Sequence, residues 1–354
     1  MSPNPAVGAL LVKDGQIIGE GWHRRHGDLH AEREALADAS RKGIDPAGAT
    51  VFVTLEPCAH AGSQPPCAEA LIDAGVAEVV IGAEDPTAKT RGIGPSRLVD
   101  AGVKLRWAKG EAAAASLDLV QDFRKRALVG KPLVTLKIAM SLDGKVATSG
   151  GDSKWISGEE SRALVHRWRA EMDAVAVGSG TLAADNPRLT ARPETDDPAR
   201  GPVRQPTRVI FDSELRSSPD AALFDDIALA PLLLVSGPEP DPGRRAALEH
   251  AGARVIAIGG DRPGERFAAA MEALAAAGIG SVLLEGGPTL AGAAISAGEV
   301  DRLEIFVAPL VLGGGRAATE GPGPELMADA KRTDGIRATP VGQDVLMSST
   351  LRIW

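Results

Sequence analysis

Three side chains that bind soft metals lie close together near the start of the chain: His30, Cys58 and Cys67. A catalytic zinc commonly takes three protein ligands and keeps a fourth position for water, whereas a structural zinc is closed by four. Zinc lowers the pKa of its water from about 15.7 to about 7 in the best-known case. Glu32 lies two residues after His30, so its carboxylate can take a proton from that water and pass it to a departing amine. The pattern predicts a deaminating zinc site with Glu32 as its acid-base catalyst.

The spacing of the two cysteines narrows this prediction. The signature of zinc nucleobase deaminases combines H-x-E with P-C-x-x-C. His30-Ala31-Glu32 matches the first half, but eight residues instead of two separate Cys58 from Cys67. Each part also has a structural interpretation, because His-Ala-Glu arises by chance and two cysteines are commonly buried thiols or a disulfide. These are the chain's only two cysteines and each follows a proline, so the combination favours zinc, in a branch other than the cytidine-type enzymes.

The hydrophobic pattern predicts the elements that must position these ligands. Asp28 is expected to cap the helix that begins at His30, and Cys67 is expected in the first turn of the next helix. The dipole of each helix start favours nearby negative charge. We expect strands at 6–12, 16–22, 50–55, 79–83 and 104–107, and helices at 30–42, 65–74, 96–101 and 111–128.

A second domain is expected after the break Gly130-Lys131-Pro132. The length of 354 residues favours two domains, which we place at 1–129 and 130–354. Ser157 and Glu160 form a predicted capping box at the start of a helix. We expect strands at 133–140, 174–178, 208–211, 232–235, 254–258, 281–284 and 303–307, and helices at 157–169, 265–277 and 290–297. This alternation is typical of an α/β domain with a largely parallel sheet.

A glycine-bearing turn, Glu285 to Thr289, lies between a predicted strand and a predicted helix of this second domain. Its free backbone N–H groups can hold a phosphate, although the same residues also suit a tight turn. Three arginines, Arg169, Arg188 and Arg192, can assist an anion or can be solvated surface charges. The residues alone therefore indicate an α/β domain with a possible phosphate or nucleotide site.

Composition limits the partners of the chain. The formal net charge is −8 and the pI is near 5.4, which argues against a nucleic-acid surface, where a basic patch is expected. A nucleobase-like substrate is therefore predicted to be small and free. The sequence has no apolar run near the ~20 residues that a membrane span requires and no signal-peptide pattern. We expect no membrane association and a cytoplasmic protein.

Both halves of the chain contain short motifs that are specific enough to compare with known families. In the first half they are Pro3 to Gly8, His30 to Glu32, Thr54 to His60 and Pro65 to Cys67. In the second half they are Met140 to Lys145, Gly151 to Ile156, Ala184 to Pro187 and Glu285 to Leu290. Together these motifs resemble those of the bifunctional deaminase/reductases of riboflavin biosynthesis, and the resemblance covers nearly the whole chain. It implies a cytidine-deaminase-like αβα domain followed by a dihydrofolate-reductase-like α/β domain.

The resemblance implies two reactions. The first removes ammonia, with zinc, from a diaminopyrimidinone that carries a phosphoribosylamino group. The second uses NADPH to reduce the ribosyl side chain of that product to ribityl. The expected cofactors are one zinc ion and NADPH, the expected partner is this phosphorylated pyrimidine, and we also expect a homo-oligomer.

The resemblance also implies a set of binding residues. On the deaminase side, the positions that match substrate contacts are Asn4, His23, His60 and Asp85. In the reductase half, the matching substrate positions are Ser153, Arg169, Leu189, Arg192 and Glu285. The matching NADPH positions are Ala139, Trp155, Thr181, Asp185, Ser213, Gly287, Pro288, Thr289, Leu290, Ala291, Gly292 and Ala293. Of these, Leu189, Ala139 and Thr181 can also be core or turn residues.

The first half departs from the family pattern in two respects. It lacks the helix that usually precedes the Pro-Asn-Pro motif, and four positions near the proposed zinc differ from the usual residues. These are Ala59, Ser63, Thr87 and Ile93. The replacements remove polar and positive groups, so we hypothesise that Lys89 or Arg91 supplies the missing charge.

Two other interpretations remain open at this point. One is a reductase whose first half is a structural zinc module, although Glu32 would then have no chemical role. The other is a nucleotide-binding or regulatory protein without enzymatic activity, which would leave both sets of polar residues unexplained.

Overall fold

A computed structural model describes residues 4–59, 65–88, 90–193 and 203–354. The chain forms two compact units. The first extends to Gly130 and includes Trp354, and the second extends from Lys131 to Ile353.

The first unit contains a five-stranded sheet in the order β2-β1-β3-β4-β5. The strands are β1 (Gly8–Lys13), β2 (Gln16–Trp22), β3 (Thr50–Leu55), β4 (Glu78–Ala83) and β5 (Lys104–Trp107). Strand β1 pairs antiparallel with β2 and β3, whereas β3, β4 and β5 are parallel. Asp14 and Gly15 both have positive φ, as the predicted two-residue hairpin requires.

Among the described residues of this unit, the helices are α1 (Ala31–Arg41), α2 (Cys67–Asp73), α3 (Ile93–Asp100), α4 (Gly110–Leu119) and α5 (Gln121–Val129). Helix α1 lies unusually close to β2, because a Cβ atom on Gly19 or Gly21 would come within 2.3 Å of the Ala35 backbone. The core between sheet and helices includes Leu11, Ala35 and Leu71, all fully buried. This contact fixes the start of α1 against the sheet.

Two local predictions for this unit are wrong. Asp28 does not cap α1, because the N-cap is His30 and no side chain caps it; the Asp28 N–H instead closes a turn on the Arg25 carbonyl. The single helix predicted over 111–128 is two helices, since Val120 departs from helical geometry with φ −112° and ψ 15°. Val120 is fully buried, so packing of this side chain accompanies the break.

The second unit is built on a nine-stranded sheet in the order β11-β10-β9-β8-β12-β6-β13-β16-β15. Its strands are β6 (Leu133–Ser141), β8 (Ala174–Gly178), β9 (Thr207–Phe211), β10 (Leu232–Ser236), β11 (Arg254–Ala257), β12 (Ser281–Leu284), β13 (Arg302–Ala308), β15 (Arg337–Val341) and β16 (Asp344–Thr350). Pairing is parallel from β11 to β13 and antiparallel for β16 and β15. A separate ribbon pairs β7 (Lys145–Ala147) with β14 (Arg316–Ala317).

The helices of this unit are α6 (Glu159–Glu171), α7 (Ser179–Asp185), α8 (Ala222–Asp225), α9 (Pro242–His250), α10 (Pro263–Ala276) and α11 (Pro288–Ser296). The main core joins the sheet to α10 and α11, with Phe267, Met271 and Leu284 at most 1% exposed. The predicted parallel α/β arrangement is confirmed.

The expected capping box at Ser157 and Glu160 is absent from this structure. Gly158 is the N-cap of α6, and the Asp344 carboxylate accepts hydrogen bonds from the Gly158 N–H (2.8 Å) and the Ser161 hydroxyl (2.6 Å). A carboxylate on a distant strand therefore caps this helix. Within the described residues, none of the helices combines the length and apolarity that crossing a membrane would need.

Candidate functional site

The predicted zinc ligands come together in the first unit. His30 precedes α1, Cys58 follows β3 and Cys67 begins α2. Nδ1 of His30 lies 3.5 Å from Sγ of Cys58 and 3.3 Å from Sγ of Cys67, and the three ligand atoms all lie within 4.8 Å of one another. One imidazole and two sulfurs form the donor set of a three-ligand catalytic zinc, so the residues present fit the metal.

The two thiols differ in their proton affinity. The pKa of Cys58 is lowered to about 4, chiefly because the Cys67 thiol donates to its sulfur, with His30 and the Cys67 backbone N–H also contributing. The same interaction raises the pKa of Cys67, and the Cys58 sulfur raises the pKa of His30. Because thiolates are the metal-binding form of cysteine, Cys58 is already prepared as a ligand, and metal binding must displace the Cys67 proton.

Glu32 lies in the first turn of α1 and is only 4% exposed. Burial raises the pKa of its carboxyl to about 7. A group with a pKa near the working pH can both accept and return a proton. This is the property that an acid-base catalyst beside the metal ligands requires.

Asn4 and His23, two of the predicted substrate-binding residues, are joined by a hydrogen bond. The His23 ring donates from Nδ1 to the Leu29 carbonyl (3.0 Å), so its Nε2 accepts from the Asn4 amide (3.0 Å). The His23 ring stands edge-on to His30, with 5.6 Å between centroids. His23 therefore lies beside the candidate ligand His30, and Asn4 is hydrogen-bonded to His23. His60 lies outside the described residues.

Asp85 is buried at the end of β4, where its carboxylate accepts from the N–H and hydroxyl of Thr87 at 2.7 and 2.6 Å. Glu56, which the sequence reasoning did not single out, is 5% exposed and accepts from the Gly92 N–H at 2.9 Å. Burial raises the pKa of Glu56. Glu56 thus links the segment after β3, which carries Cys58, to the loop after Asp85. Glu56 could have been identified from the sequence, because it lies within the motif Thr54 to His60.

The hypothesis of a replacement charge concerns the same loop. The Arg91 guanidinium folds back on this loop, where Nε donates to the Asp85 carbonyl at 3.3 Å and Nη2 to the Pro86 carbonyl at 3.5 Å. Lys89 lies outside the described residues. Thr87 is engaged with Asp85, and Ile93 is 40% exposed.

The second unit contains a cleft of about 1410 Å³ at the carboxyl ends of its parallel strands, the usual ligand position in open α/β sheets. Most of the predicted reductase residues line it. They are Ala139, Ser153, Trp155, Arg169, Thr181, Asp185, Leu189, Arg192, Ser213, Glu285, Gly287, Pro288, Thr289, Leu290 and Ala293.

Ala291 and Gly292 do not line this cleft. Ala291 is 1% exposed within the main core, and a Cβ on Gly292 would lie 1.6 Å from the Glu320 carbonyl oxygen. Both residues belong to α11, whose turn directs them away from the cleft. Both residues therefore have packing contacts in this structure, and their role as cofactor contacts stays a prediction.

Arg169 and Glu285 form a buried ion pair at the cleft. Nε and Nη2 of Arg169 donate to the two Glu285 oxygens at 2.6 and 2.8 Å. Lys137, a residue that the sequence reasoning missed, places Nζ 4.0 Å from Glu285. Burial opposes ionisation of Glu285, but Arg169 and Lys137 outweigh it and lower the pKa of that carboxyl. Burial also lowers the pKa of Lys137. Lys137 lies within the largely apolar strand β6, and the pattern of apolar and polar residues along this strand does not mark it as a site residue.

Arg169 and Arg192 meet at Thr190. Arg169 Nη1 donates to the Thr190 carbonyl at 3.3 Å, and Arg192 Nη1 donates to the Thr190 hydroxyl at 2.5 Å. The adjacent Leu189 is 2% exposed and has a φ of 55°, a left-handed conformation that is strained for a bulky side chain. Such strain is found disproportionately at ligand sites.

The loop before α6 contributes the other side of the cleft. Ser153 Oγ donates to Asp185 at 3.5 Å, and Lys154 Nζ donates to the Asp185 carbonyl at 3.3 Å. Trp155 is 70% exposed, with the Arg162 guanidinium 4.7 Å from its ring centroid. An exposed aromatic face on a cleft wall is suited to stacking on a planar ring.

Family models match both units of the chain. The cytidine and deoxycytidylate deaminase zinc-binding region matches residues 1–83, and the RibD C-terminal domain matches residues 132–346. The riboflavin biosynthesis protein RibD of Escherichia coli is 38% identical over 98% of this chain and 93% of its own length. The chain belongs to the RibD family.

Solved structures agree with this membership. Acinetobacter baumannii RibD has a TM-score of 0.83 at 36% identity, covering 98% of this chain and 92% of its own. A Thermotoga maritima protein described as a diaminohydroxyphosphoribosylaminopyrimidine deaminase/5-amino-6-(5-phosphoribosylamino)uracil reductase has a TM-score of 0.83 at 31% identity, covering 99% and 93%.

The predicted fold and general activity are therefore confirmed. This RibD family member has a cytidine-deaminase-like unit followed by a RibD reductase unit. It is a bifunctional deaminase and reductase of riboflavin biosynthesis that acts on a small pyrimidine substrate. Its cofactors are zinc, for which His30, Cys58 and Cys67 are the candidate ligands, and NADPH.

Proposed function

We propose that the first unit deaminates diaminohydroxyphosphoribosylaminopyrimidine and that the second reduces the resulting 5-amino-6-(5-phosphoribosylamino)uracil to its ribityl counterpart. The observation that carries this proposal is that each unit has its own polar site: the Glu32 and metal-ligand cluster in one, and the buried Arg169–Glu285 pair in the other. The Thermotoga maritima protein described by these two activities supports the choice of substrates.

In the deaminase unit, His30, Cys58 and Cys67 would hold zinc. When bound, zinc makes a water molecule acidic near neutral pH. Glu32 takes up a proton and returns it to the departing amine, because its pKa lies near 7. His23, Asn4 and Asp85 are proposed to orient the pyrimidine, together with His60. The fixed His23 tautomer supports this role for the first two.

In the reductase unit, bound NADPH would supply the hydride for reduction of the ring-opened sugar. At the start of α11, the backbone N–H groups of Gly287 and Thr289 are suited to the cofactor pyrophosphate, whereas Pro288 between them has no N–H to donate. Further proposed cofactor contacts are Ala139, Trp155, Thr181, Asp185, Ser213, Leu290 and Ala293. Burial lowers the pKa of Lys137, so this lysine can transfer a proton to the sugar while Glu285 holds its hydroxyl groups.

The phosphate and the sugar of the substrate are proposed to lie along one side of the reductase cleft. Ser153 and Leu189 would contact the sugar, and Arg192 would bind the phosphate. Arg169 would contribute by holding Glu285 and Thr190. The sequence analysis expected an anion near these arginines, and this arrangement names the anion as the substrate phosphate and its ligand as Arg192.

The alternative in which the first unit is a structural zinc module is less well supported. A structural site is closed by four ligands, whereas three cluster among the described residues, and the Glu32 carboxyl is poised for proton transfer. We propose the functional division at 1–129 and 130–354. Homo-oligomerisation, cytoplasmic location and the lack of a nucleic-acid partner stay predictions.

A coupled assay tests the two activities. Wild type should release ammonia from the diaminopyrimidine and then oxidise NADPH. Glu32→Ala should release no ammonia but should still oxidise NADPH when the deaminated intermediate is supplied. If a folded Glu32→Ala protein lost both activities, the proposal of two independent sites would be wrong.

A further inference from the structure

His166 has no assigned role, yet it lies on α6 one turn before Arg169 and faces the reductase cleft. Its Nδ1 accepts a hydrogen bond from the Arg192 backbone N–H at 3.3 Å. Its Nε2 lies 3.5 Å from Nη2 of Arg192. Both ring nitrogens of His166 are therefore next to donors of the same arginine.

These contacts determine where the imidazole carries its proton. The pKa of His166 is lowered to about 4 by burial and then by Arg169 and Arg192, while the Thr190 carbonyl and Glu285 partly oppose this shift. At neutral pH the ring is therefore neutral, with one donor and one acceptor nitrogen. Since Nδ1 accepts, Nε2 carries the hydrogen. It faces Arg192 Nη2, and a guanidinium can only donate.

Two donors 3.5 Å apart cannot bond to each other. Both donors are satisfied when one acceptor lies between them, and an anionic oxygen is the strongest acceptor for an arginine. The Arg169 guanidinium is already engaged, with Nε and Nη2 on Glu285 and Nη1 on the Thr190 carbonyl. Arg192 Nη1 is likewise held by the Thr190 hydroxyl. The Thr190 carbonyl also lies near the His166 imidazole, but it already accepts from Arg169 Nη1. The facing donors are thus Arg192 Nη2 and His166 Nε2.

We propose that His166 binds the phosphate monoester of the reductase substrate directly, donating from Nε2 beside the Arg192 guanidinium. The proposal rests on the proposed reductase function of this unit. His166 then has two tasks that use different atoms: Nδ1 orients the Arg192 backbone, and Nε2 contacts the substrate phosphate. A phosphate oxygen between the two donors would satisfy both.

The test compares three variants on the deaminated substrate and on its dephosphorylated form. His166→Ala should raise KM for the phosphorylated substrate about tenfold, as expected for one hydrogen bond to a charged group, with kcat changed less than about twofold. KM for the dephosphorylated form should be unchanged. NADPH affinity, measured by fluorescence titration, reports that the reductase unit is folded, and His250→Gln on the exposed end of α9 is the matched control.

Two conservative variants separate phosphate binding from a purely positioning role. Gln keeps a donor near the place of Nε2, so His166→Gln should restore most of the affinity. Asn keeps an acceptor near the place of Nδ1, so His166→Asn should not. Rescue by Asn alone, or an unchanged KM in His166→Ala, would overturn the proposal. If wild type itself does not oxidise NADPH with the phosphorylated substrate, the proposed function fails instead.

Discussion

The two sites of this chain are built on different scales. The metal centre of the first unit gathers three ligand atoms within 4.8 Å, all from the ends of short neighbouring elements. The second unit uses a cleft of about 1410 Å³ whose lining residues extend from Lys137 to Ala318. A compact centre can be encoded in a few adjacent motifs, whereas a long cleft is assembled by the topology of the sheet.

The difference also affects how each site depends on its neighbours. In the metal centre, each candidate ligand would bind the metal directly, so we expect the loss of any one of them to abolish deamination. In the cleft, buried charges support one another, as Arg169, Glu285 and Lys137 do. Loss of a charge there should affect the stability of the unit as well as its activity.

The largest expected effect is on the compact centre. Cys67→Ser should remove zinc from the protein, because a serine hydroxyl is a poor substitute for a thiolate ligand, and should abolish ammonia release. Reduction of supplied intermediate should be unchanged. Zinc content by atomic absorption and the two separate assays check this, and retention of one zinc per chain with full deamination would remove Cys67 from the ligand set.

The buried ion pair gives the next largest effect. Arg169→Met leaves the Glu285 carboxylate without its bidentate partner and should destabilise the second unit by about 3–5 kcal/mol. Denaturant unfolding of the second unit checks this value. Arg188→Met is the matched control, because Arg188 forms exposed pairs with Asp225 and Asp226 that are worth at most about 1 kcal/mol. If Arg169→Met and Arg188→Met lowered the free energy of unfolding equally, burial of the Arg169–Glu285 pair would not explain the expected destabilisation.

The stability of the second unit should depend on pH through His166. Burial and the neighbouring Arg169 and Arg192 lower the pKa of His166 in the folded chain from its ordinary value of 6.5 to about 4. Between these values the unfolded chain binds more protons, so the free energy of unfolding should decrease as the pH falls from 6.5 towards 4. Replacing His166 by Gln should reduce the slope of the unfolding free energy with pH. The reduction should be smaller than the slope for uptake of one full proton, which is about 1.4 kcal/mol per pH unit. Unfolding titrations at several pH values measure it, and an unchanged slope would contradict the lowered pKa.

Loss of the Glu56 carboxylate should have a smaller effect on the loop beside the metal centre. Glu56→Gln keeps an acceptor for the Gly92 N–H but weakens a charge-assisted hydrogen bond. We expect KM for deamination to rise about threefold to tenfold, as a loss of roughly 1 kcal/mol implies, with zinc content unchanged. Loss of zinc in this variant would instead indicate that Glu56 supports the ligands.

The smallest expected effect comes from Arg91. Its guanidinium is exposed and bonds to backbone carbonyls of its own loop, so Arg91→Ala should lower deaminase kcat/KM by no more than about fivefold. The steady-state deaminase assay measures this. If Arg91→Ala and Lys89→Ala both leave kcat/KM unchanged, the hypothesis of a replacement charge is wrong.

The sequence predicted that His30, Cys58 and Cys67 come together, because each is next to a strong local signal, such as the proline before Cys58 or the helix start at His30. It also predicted most strands, since buried parallel strands are continuous apolar runs. It failed where distant residues decide local structure. Asp344 caps α6 from a strand far along the chain, so no local pattern contains that information.

The same limit explains the residues that were missed in the cleft. Lys137 and His166 become meaningful only when β6 and α6 are placed next to Glu285 and Arg192. The packing of Ala291 and Gly292 was missed for a related reason: the first turn of α11 faces the cleft, but these two positions pack elsewhere.

Gly19 and Gly21 have a consequence beyond close packing. Because a Cβ atom on either would meet the Ala35 backbone at 2.3 Å, two missing methyl groups set the gap between β2 and α1. His30 and Glu32 are carried by the start of that helix, so the gap acts as a spacer that determines their depth. Any larger residue there would have to push the helix outward. The position of the proposed metal ligand and of the proposed acid-base catalyst therefore depends on two residues that have no side chain to contribute.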